Sequence, residues 1–257
     1  MKVPILSELK SKGESPEYLF WVGCDGSFDD RSKKVTKAFV KILNKANISY
    51  AILGKEESCT GDPAKRAGNE FLFQMKAIAN IEILNSYSIK NIITTCPHCF
   101  NTIRNEYPEL GGNYNVIHHT TFINNLIKEN RISIGGGYYK GKRITYHDPC
   151  YLGRANGIYE APREVIEKLD AELVEMKSCK SKSLCCGAGG AQMFKEPEKG
   201  NQDINIKRSE EAINTDSEIV AVSCPFCNTM MSDGMTSKEK NINVLDIAQM
   251  IEKAEDL

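Results

Sequence analysis

The sequence predicts an α/β chain of two tandem related modules, each a small parallel-sheet strand–helix unit with cysteines at the carboxyl ends of its strands. Three observations carry this. Cysteines recur in both halves in the same order at nearly the same spacing, the words around the last pair of each half match, and short apolar runs alternate with helical periodicity throughout.

The first half reads Cys24, Cys59 thirty-five positions on, Cys96 thirty-seven after that, and Cys99. The second reads Cys150, Cys186 thirty-six on, Cys224 thirty-eight after that, and Cys227. Thr95-Cys96-Pro97-His98-Cys99 matches Ser223-Cys224-Pro225-Phe226-Cys227, and each follows a β-rich run. The modules are therefore expected at residues 1–135 and 136–257.

Within the first module, Tyr18 to Val22 reads as a strand ending before Cys24, and Ser32 to Asn44 carries helical spacing at Val35, Phe39, Ile42 and Leu43. Ser49 to Leu53 is a second strand, before the loop bearing Cys59. One long helix is expected over Ala64 to Tyr87, with Phe71, Met75, Ile78 and Ile81 to Ile83 facing the core. Asn91 to Thr94 is a strand, and a helix opens at Pro97, where proline suits a first turn. Val116-Ile117 and a helix over Thr120 to Glu129 complete the unit. Arg131 to Lys142, with Gly135-Gly136-Gly137 and Gly141, is the connection. The second module repeats the order: strand Arg143 to Tyr146, helix from Ala161, strand Glu172 to Val174, helix after Asp203, strand Ile219 to Val222, helix after Cys224, strand Asn243 to Leu245, helix to Ala254. Lys195 to Gln202 is a polar surface loop. Strand–helix alternation implies parallel sheets, whose ligands collect at the strands' carboxyl ends.

Composition narrows the function. A formal net charge of −1 over 257 residues gives no basic field to gather phosphates, so nucleic acid is not an expected partner. No run approaches the roughly 20 apolar residues of a membrane helix, and the first ten residues lack a signal-peptide apolar stretch. A cytoplasmic chain without direct membrane insertion is expected. There, ten cysteines point to metal or catalysis rather than to disulfides. No strand-anchored G-x-G-x-x-G is present, so hydride chemistry by this chain alone is not expected.

Five thiols gather between Cys150 and Cys227: Cys150, Cys185, Cys186, Cys224 and Cys227. Five exceed what one tetrahedral zinc uses, whereas iron–sulfur assemblies accept thiolates terminally and as bridges. At helix N-termini, Cys96, Cys99, Cys224 and Cys227 would have depressed pKa values. Gly187, Gly189 and Gly190 could bring N–H groups close to the sulfurs.

Cys59-Thr60-Gly61-Asp62-Pro63-Ala64-Lys65-Arg66, Cys96-Pro97-His98-Cys99-Phe100-Asn101-Thr102, His147-Asp148-Pro149-Cys150-Tyr151-Leu152-Gly153-Arg154 and Leu184-Cys185-Cys186-Gly187-Ala188-Gly189-Gly190 together span almost the whole chain. On these words the chain resembles the cysteine-rich CCG-domain family. That family occurs in heterodisulfide reductase, in glycolate and lactate oxidase iron–sulfur subunits, and in the C-terminal part of ETF-linked iron–sulfur oxidoreductases. The resemblance implies that the five-cysteine set holds a non-cubane [4Fe-4S] cluster. The first copy departs from the pattern: Ser58-Cys59 stands where the family often has a Cys-Cys pair, leaving Cys24, Cys59, Cys96 and Cys99. Four thiolates suit a second [4Fe-4S] cluster or a closed zinc site, and Ser58→Cys is the expected route to a fifth.

Other residues have plainer readings beside them. Cys-Pro-His-Cys is also a thiol–disulfide oxidant word. His118 and His119 suit capping or core roles better than ligation. His147 could donate to a cluster sulfur, relay a proton, or serve as a turn residue; Cys179 lies outside the repeat as a spare thiol. The expected function is an iron–sulfur electron-transfer subunit between a flavoprotein or dehydrogenase and a quinone-linked carrier. The resemblance implies other oxidoreductase subunits as partners, a flavoprotein or a cubane iron–sulfur protein, with any membrane reached at its inner face through such a partner. A disulfide-reducing catalytic subunit and a zinc-stabilised binding scaffold are the alternatives, and no catalytic residue is assigned.

Overall fold

Among the described residues, eight short strands build two sheets of the same order. The computed structural model describes residues 3–135, 137–196 and 199–257. The first module runs α1 (Leu6–Ser11), β1 (Tyr18–Trp21), α2 (Gly23–Phe28), α3 (Asp30–Lys45), β2 (Tyr50–Ala51), α4 (Asp62–Arg66), α5 (Glu70–Ser86), β3 (Asn91–Thr94), α6 (Pro97–Asn101), β4 (Asn115–His118) and α7 (His119–Lys128). The second runs β5 (Arg143–Tyr146), α8 (Glu160–Lys168), β6 (Glu172–Leu173), α9 (Ile204–Ile213), β7 (Ile219–Val222), α10 (Pro225–Ser237), β8 (Asn243–Asp246) and α11 (Ile247–Ala254). The sheets are ordered β2-β1-β3-β4 and β6-β5-β7-β8, and every pairing is parallel. The expected α/β duplication is what the chain forms. Gly136 of the connection, and Pro197 and Glu198 of the polar insert, lie outside the described residues.

Local chemistry accounts for the element ends. The Asp29 side chain accepts from the Arg31 and Ser32 N–H groups and so starts α3 ahead of the expected Ser32. That helix buries Val35, Phe39, Ile42 and Leu43, as their spacing predicts. Strand β7 is buried on both faces, in keeping with its unbroken apolar run. Proline opens α6 and α10.

Two expectations need correction. The helix over Ala64 to Tyr87 is two helices, because Gly68 adopts φ +85° and the Asn69 side chain accepts from the Leu72 N–H to start α5 afresh. Of the stripe assigned to the core, Ile81 is buried as expected, but Phe71, Met75 and Ile78 face outward. Phe71 is 75% exposed, Met75 53% and Ile78 45%, while Phe73, Ala77, Ile81 and Leu84 are buried. An α5 apolar on nearly all sides offers two stripes, and periodicity alone does not choose between them.

The modules pack by a pseudo-two-fold exchange. Helix α3 lies on α11 and α7 lies on α8, and each pair joins the helix after one module's first strand to the helix after the other's last. One apolar core runs through both, from Phe39, Ile42 and Leu126 to Val165, Ile247 and Ile251. His119 Nε2 meets Asp246 Oδ1 across this interface at 3.0 Å. Among the described residues no helix is long and apolar enough to cross a membrane.

Candidate metal centres

Five thiols of the second module form one connected network. The loop after β5 brings Cys150, the loop after β6 brings Cys185 and Cys186, and β7 with the N-terminus of α10 brings Cys224 and Cys227. Cys150 and Cys186 both lie close enough to Cys185 to act on its proton. Cys227 donates to Cys186 across 3.4 Å and also to Cys224. The Gly187 N–H reaches Cys185 Sγ at 3.3 Å. Gly189 and Gly190 make no hydrogen bond to a cysteine among the described residues.

These contacts set the protons. Accepting from Cys150 and Cys186 pulls Cys185 far down, and the same bonds push Cys150 and Cys186 up. Cys227 is raised because it donates to Cys186 and Cys224. Burial pushes Cys224 up, but donation from Cys227, the charge of His98 and the N–H groups of Cys227 and Phe226 outweigh it, and Cys224 is lowered. Sulfurs this crowded cannot all ionise unless a cation joins them.

Buried charges fix the frame. Asp148 takes Arg163 through two bonds of 2.8 and 2.9 Å and the Lys180 N–H at 2.7 Å, tying the Cys150 turn to the segment leading to Cys185. Arg208, fully buried, donates from Nε to His147 Nδ1 at 2.9 Å. A guanidinium has no acceptor, so Nδ1 is the bare nitrogen and the ring proton sits on Nε2. Burial, then the neighbouring Arg208, push the imidazole down to about 3. Its Nε2 has no partner among the described residues, and a ring nitrogen lies within 4.8 Å of the sulfurs of Cys186 and Cys227.

The first centre is built alike. Cys24 donates to Cys59, which falls to about 6, and Cys99 donates to Cys96. Cys99 also feels the charges of Cys24 and Cys59, so the four predicted thiols converge. The Gly61 N–H lies 3.5 Å from Cys59 Sγ, and Thr60 Oγ1 lies 4.0 Å from Cys99 Sγ. Asn80 holds the Cys59 carbonyl and the Tyr107 hydroxyl holds that of Thr60. Trp21 precedes Cys24 by three residues, as His147 precedes Cys150. Its indole N–H is also buried without a partner among the described residues, in one apolar cluster with Cys96 and Cys99. An orphaned donor beside each set of crowded thiols fits an acceptor-rich group held between the sulfurs.

The centres share a wall. His98, central in Cys-Pro-His-Cys, stacks on Tyr151 at 4.3 Å and meets Phe226, its counterpart in the second word, edge-on at 5.1 Å. Its Nδ1 lies 2.8 Å from Asp62 Oδ2. Burial pulls the ring down, but the bond to Asp62 and the neighbouring sulfurs outweigh it and raise His98 to about 9. Sequence reasoning missed Trp21, Thr60, Gly61, Asp62, His98 and Arg208. Comparing the middle residues of the two Cys-Pro-x-Cys words was the available signal for His98. His118 bonds Thr120 and His119 bonds Asp246, in keeping with core roles, and Cys179 is raised by burial and then by the charge of Glu175.

The cysteine-rich domain model, CCG, matches residues 18–104 and 144–232, once on each half of this arrangement. The chain belongs to the cysteine-rich CCG family. Among curated CCG relatives, the EtfAB:quinone oxidoreductase of Syntrophomonas wolfei is 41% identical over 96% of this chain and 35% of its own length. The "Probable iron-sulfur-binding oxidoreductase FadF" of Bacillus subtilis is 40% identical over 97% and 36%. One subunit of the dihydromethanophenazine:CoB–CoM heterodisulfide reductase of Methanosarcina barkeri is 32% identical over 94% and 59%. This CCG chain thus spans about a third of the length of the first two and under two thirds of the third.

Proposed function

We propose that this chain is an iron–sulfur electron-transfer unit of a larger oxidoreductase, carrying electrons between a flavoprotein or dehydrogenase partner and a quinone-linked or similar carrier. The observation that carries the reading is the convergence of five second-module thiols on one place, one more than a tetrahedral zinc uses. Cys150, Cys185, Cys186, Cys224 and Cys227 would hold a [4Fe-4S] cluster of the non-cubane kind, and Cys24, Cys59, Cys96 and Cys99 a second [4Fe-4S] cluster or zinc. When bound, such a cluster takes up and releases single electrons. The chain's own residues hold it: Gly187 and Gly61 direct N–H groups at sulfur, and buried Asp148, Arg163 and Arg208 keep the cysteine loops in place. The names of all three relatives describe oxidoreductases. A partner is supported by the exposed strip of Phe71, Leu72, Met75 and Ile78 on α5, beside a groove lined by Cys59, Leu72, Lys76 and Phe194.

Iron, zinc and acid-labile sulfide per chain, measured on anaerobically purified protein, test the reading. About four iron and four sulfide with one zinc indicate one redox and one structural centre; about eight of each make both centres carriers. Zinc without sulfide, persisting through anaerobic reconstitution, overturns electron transfer and leaves a scaffold. Turnover of a disulfide with a reduced donor would instead place the chain among catalytic disulfide reductases.

A further inference from the structure

Superposing the two centres by their bonding, rather than by counting along the chain, changes which first-module residue replaces the missing cysteine. Sequence spacing pairs Cys59 with Cys186 and therefore Ser58 with Cys185. The structure pairs them differently. Cys185 takes the N–H of Gly187, two residues on, at 3.3 Å; Cys59 takes the N–H of Gly61, also two residues on, at 3.5 Å. Both glycines adopt left-handed backbone, φ +92° and φ +90°, which a side chain would strain. Cys59 and Cys185 are both half-buried, whereas Thr60 and Cys186 are 2% and 4% exposed. Thr60 Oγ1 faces Cys99 Sγ at 4.0 Å, as Cys186 Sγ faces Cys227 Sγ at 3.4 Å. The separation of Cys24 from Cys59 then equals that of Cys150 from Cys185, thirty-five residues in each. Ser58 takes no part: its hydroxyl bonds Asn80 Oδ1 at 3.0 Å.

We infer that Thr60 occupies the place of Cys186 in the first centre, and that this one side chain decides that the first centre takes a four-thiolate metal group while the second takes a five-thiolate one. A hydroxyl at this position offers no soft ligand to iron. The inference deepens the iron–sulfur reading and rests on it for the identity of the second group.

Rescue tests it. Cys185→Ser should abolish the second centre's characteristic absorption and electron paramagnetic resonance signals, with a loss of iron and sulfide. Adding Thr60→Cys to that variant, followed by anaerobic reconstitution, should restore those signals from the first centre; adding Ser58→Cys should not. In the reverse direction, Cys186→Thr alone should cost the second centre its signature. Restoration by Ser58→Cys, or no restoration by Thr60→Cys in protein whose thermal unfolding matches the parent, overturns the inference. If the unaltered protein holds no iron or sulfide, the functional reading itself has failed, and the positional inference is then read in metal-free Thr60→Cys protein oxidised with diamide. Peptide mapping should find the introduced thiol linked to Cys99; no such link overturns the inference.

Discussion

At the scale of single residues, the arrangement of Arg208 and His147 has a measurable consequence. Because the guanidinium occupies Nδ1, the imidazole presents Nε2–H beside the second centre and cannot offer that nitrogen as a metal ligand. A donor bonded to cluster sulfur stabilises the more negative, reduced state and raises the reduction potential. His147→Phe should therefore give a more negative midpoint potential with iron content unchanged, read by redox titration under electron paramagnetic resonance. Arg208→Gln, which frees the ring to take either tautomer, should shift it the same way by less. An unchanged potential in His147→Phe would remove the histidine from any role at the centre. Cysteine spacing revealed the thiols because soft ligands recur in sequence wherever the repeat recurs. Thr60 stayed hidden because counting aligns Cys59 almost equally well with either sulfur of the Cys185-Cys186 pair, and only the matching Gly61 and Gly187 bonds choose between them.

Secondary-structure elements show where sequence periodicity loses information. The succession of strands and most helices were legible, since β7 reads as a doubly buried run and α3 as a single amphipathic stripe. Helix α5 was not, because Phe71, Met75 and Ile78 make as good a stripe as Phe73, Ala77 and Leu84, and only packing in the fold buries the latter. Its start depends on the Asn69 cap, whose side-chain oxygen accepts from Leu72 N–H at 3.0 Å. Asn69→Ala should cost about 1 kcal/mol of stability, seen as a lower urea midpoint at unchanged slope. A midpoint within error of the parent's would mean that the break at Gly68 sets the helix start without the cap.

Across the whole molecule, the duplication and the shared core pull in different directions. Each half carries its own sheet and its own set of thiols, which suggests independent units at residues 1–135 and 136–257. Helices α3 and α7, however, rest on α11 and α8, and His119 finds its partner in Asp246 of the other half. Exposing a large apolar side chain costs roughly 1.5–3 kcal/mol, and a domain's whole stability is about 5–15 kcal/mol. Uncovering a handful of side chains along α3 and α7 therefore removes as much as a module has. The fragment 1–135 should show no cooperative thermal transition as a monomer, while the full chain unfolds in one step. A fragment that melted cooperatively as a monomer would establish self-sufficient modules. Mutual dependence also suits the wall between the centres, where His98 of the first module packs on Tyr151 and Phe226 of the second. The helix packing that joins the modules and the wall between the candidate centres are thus both built from residues of the two halves.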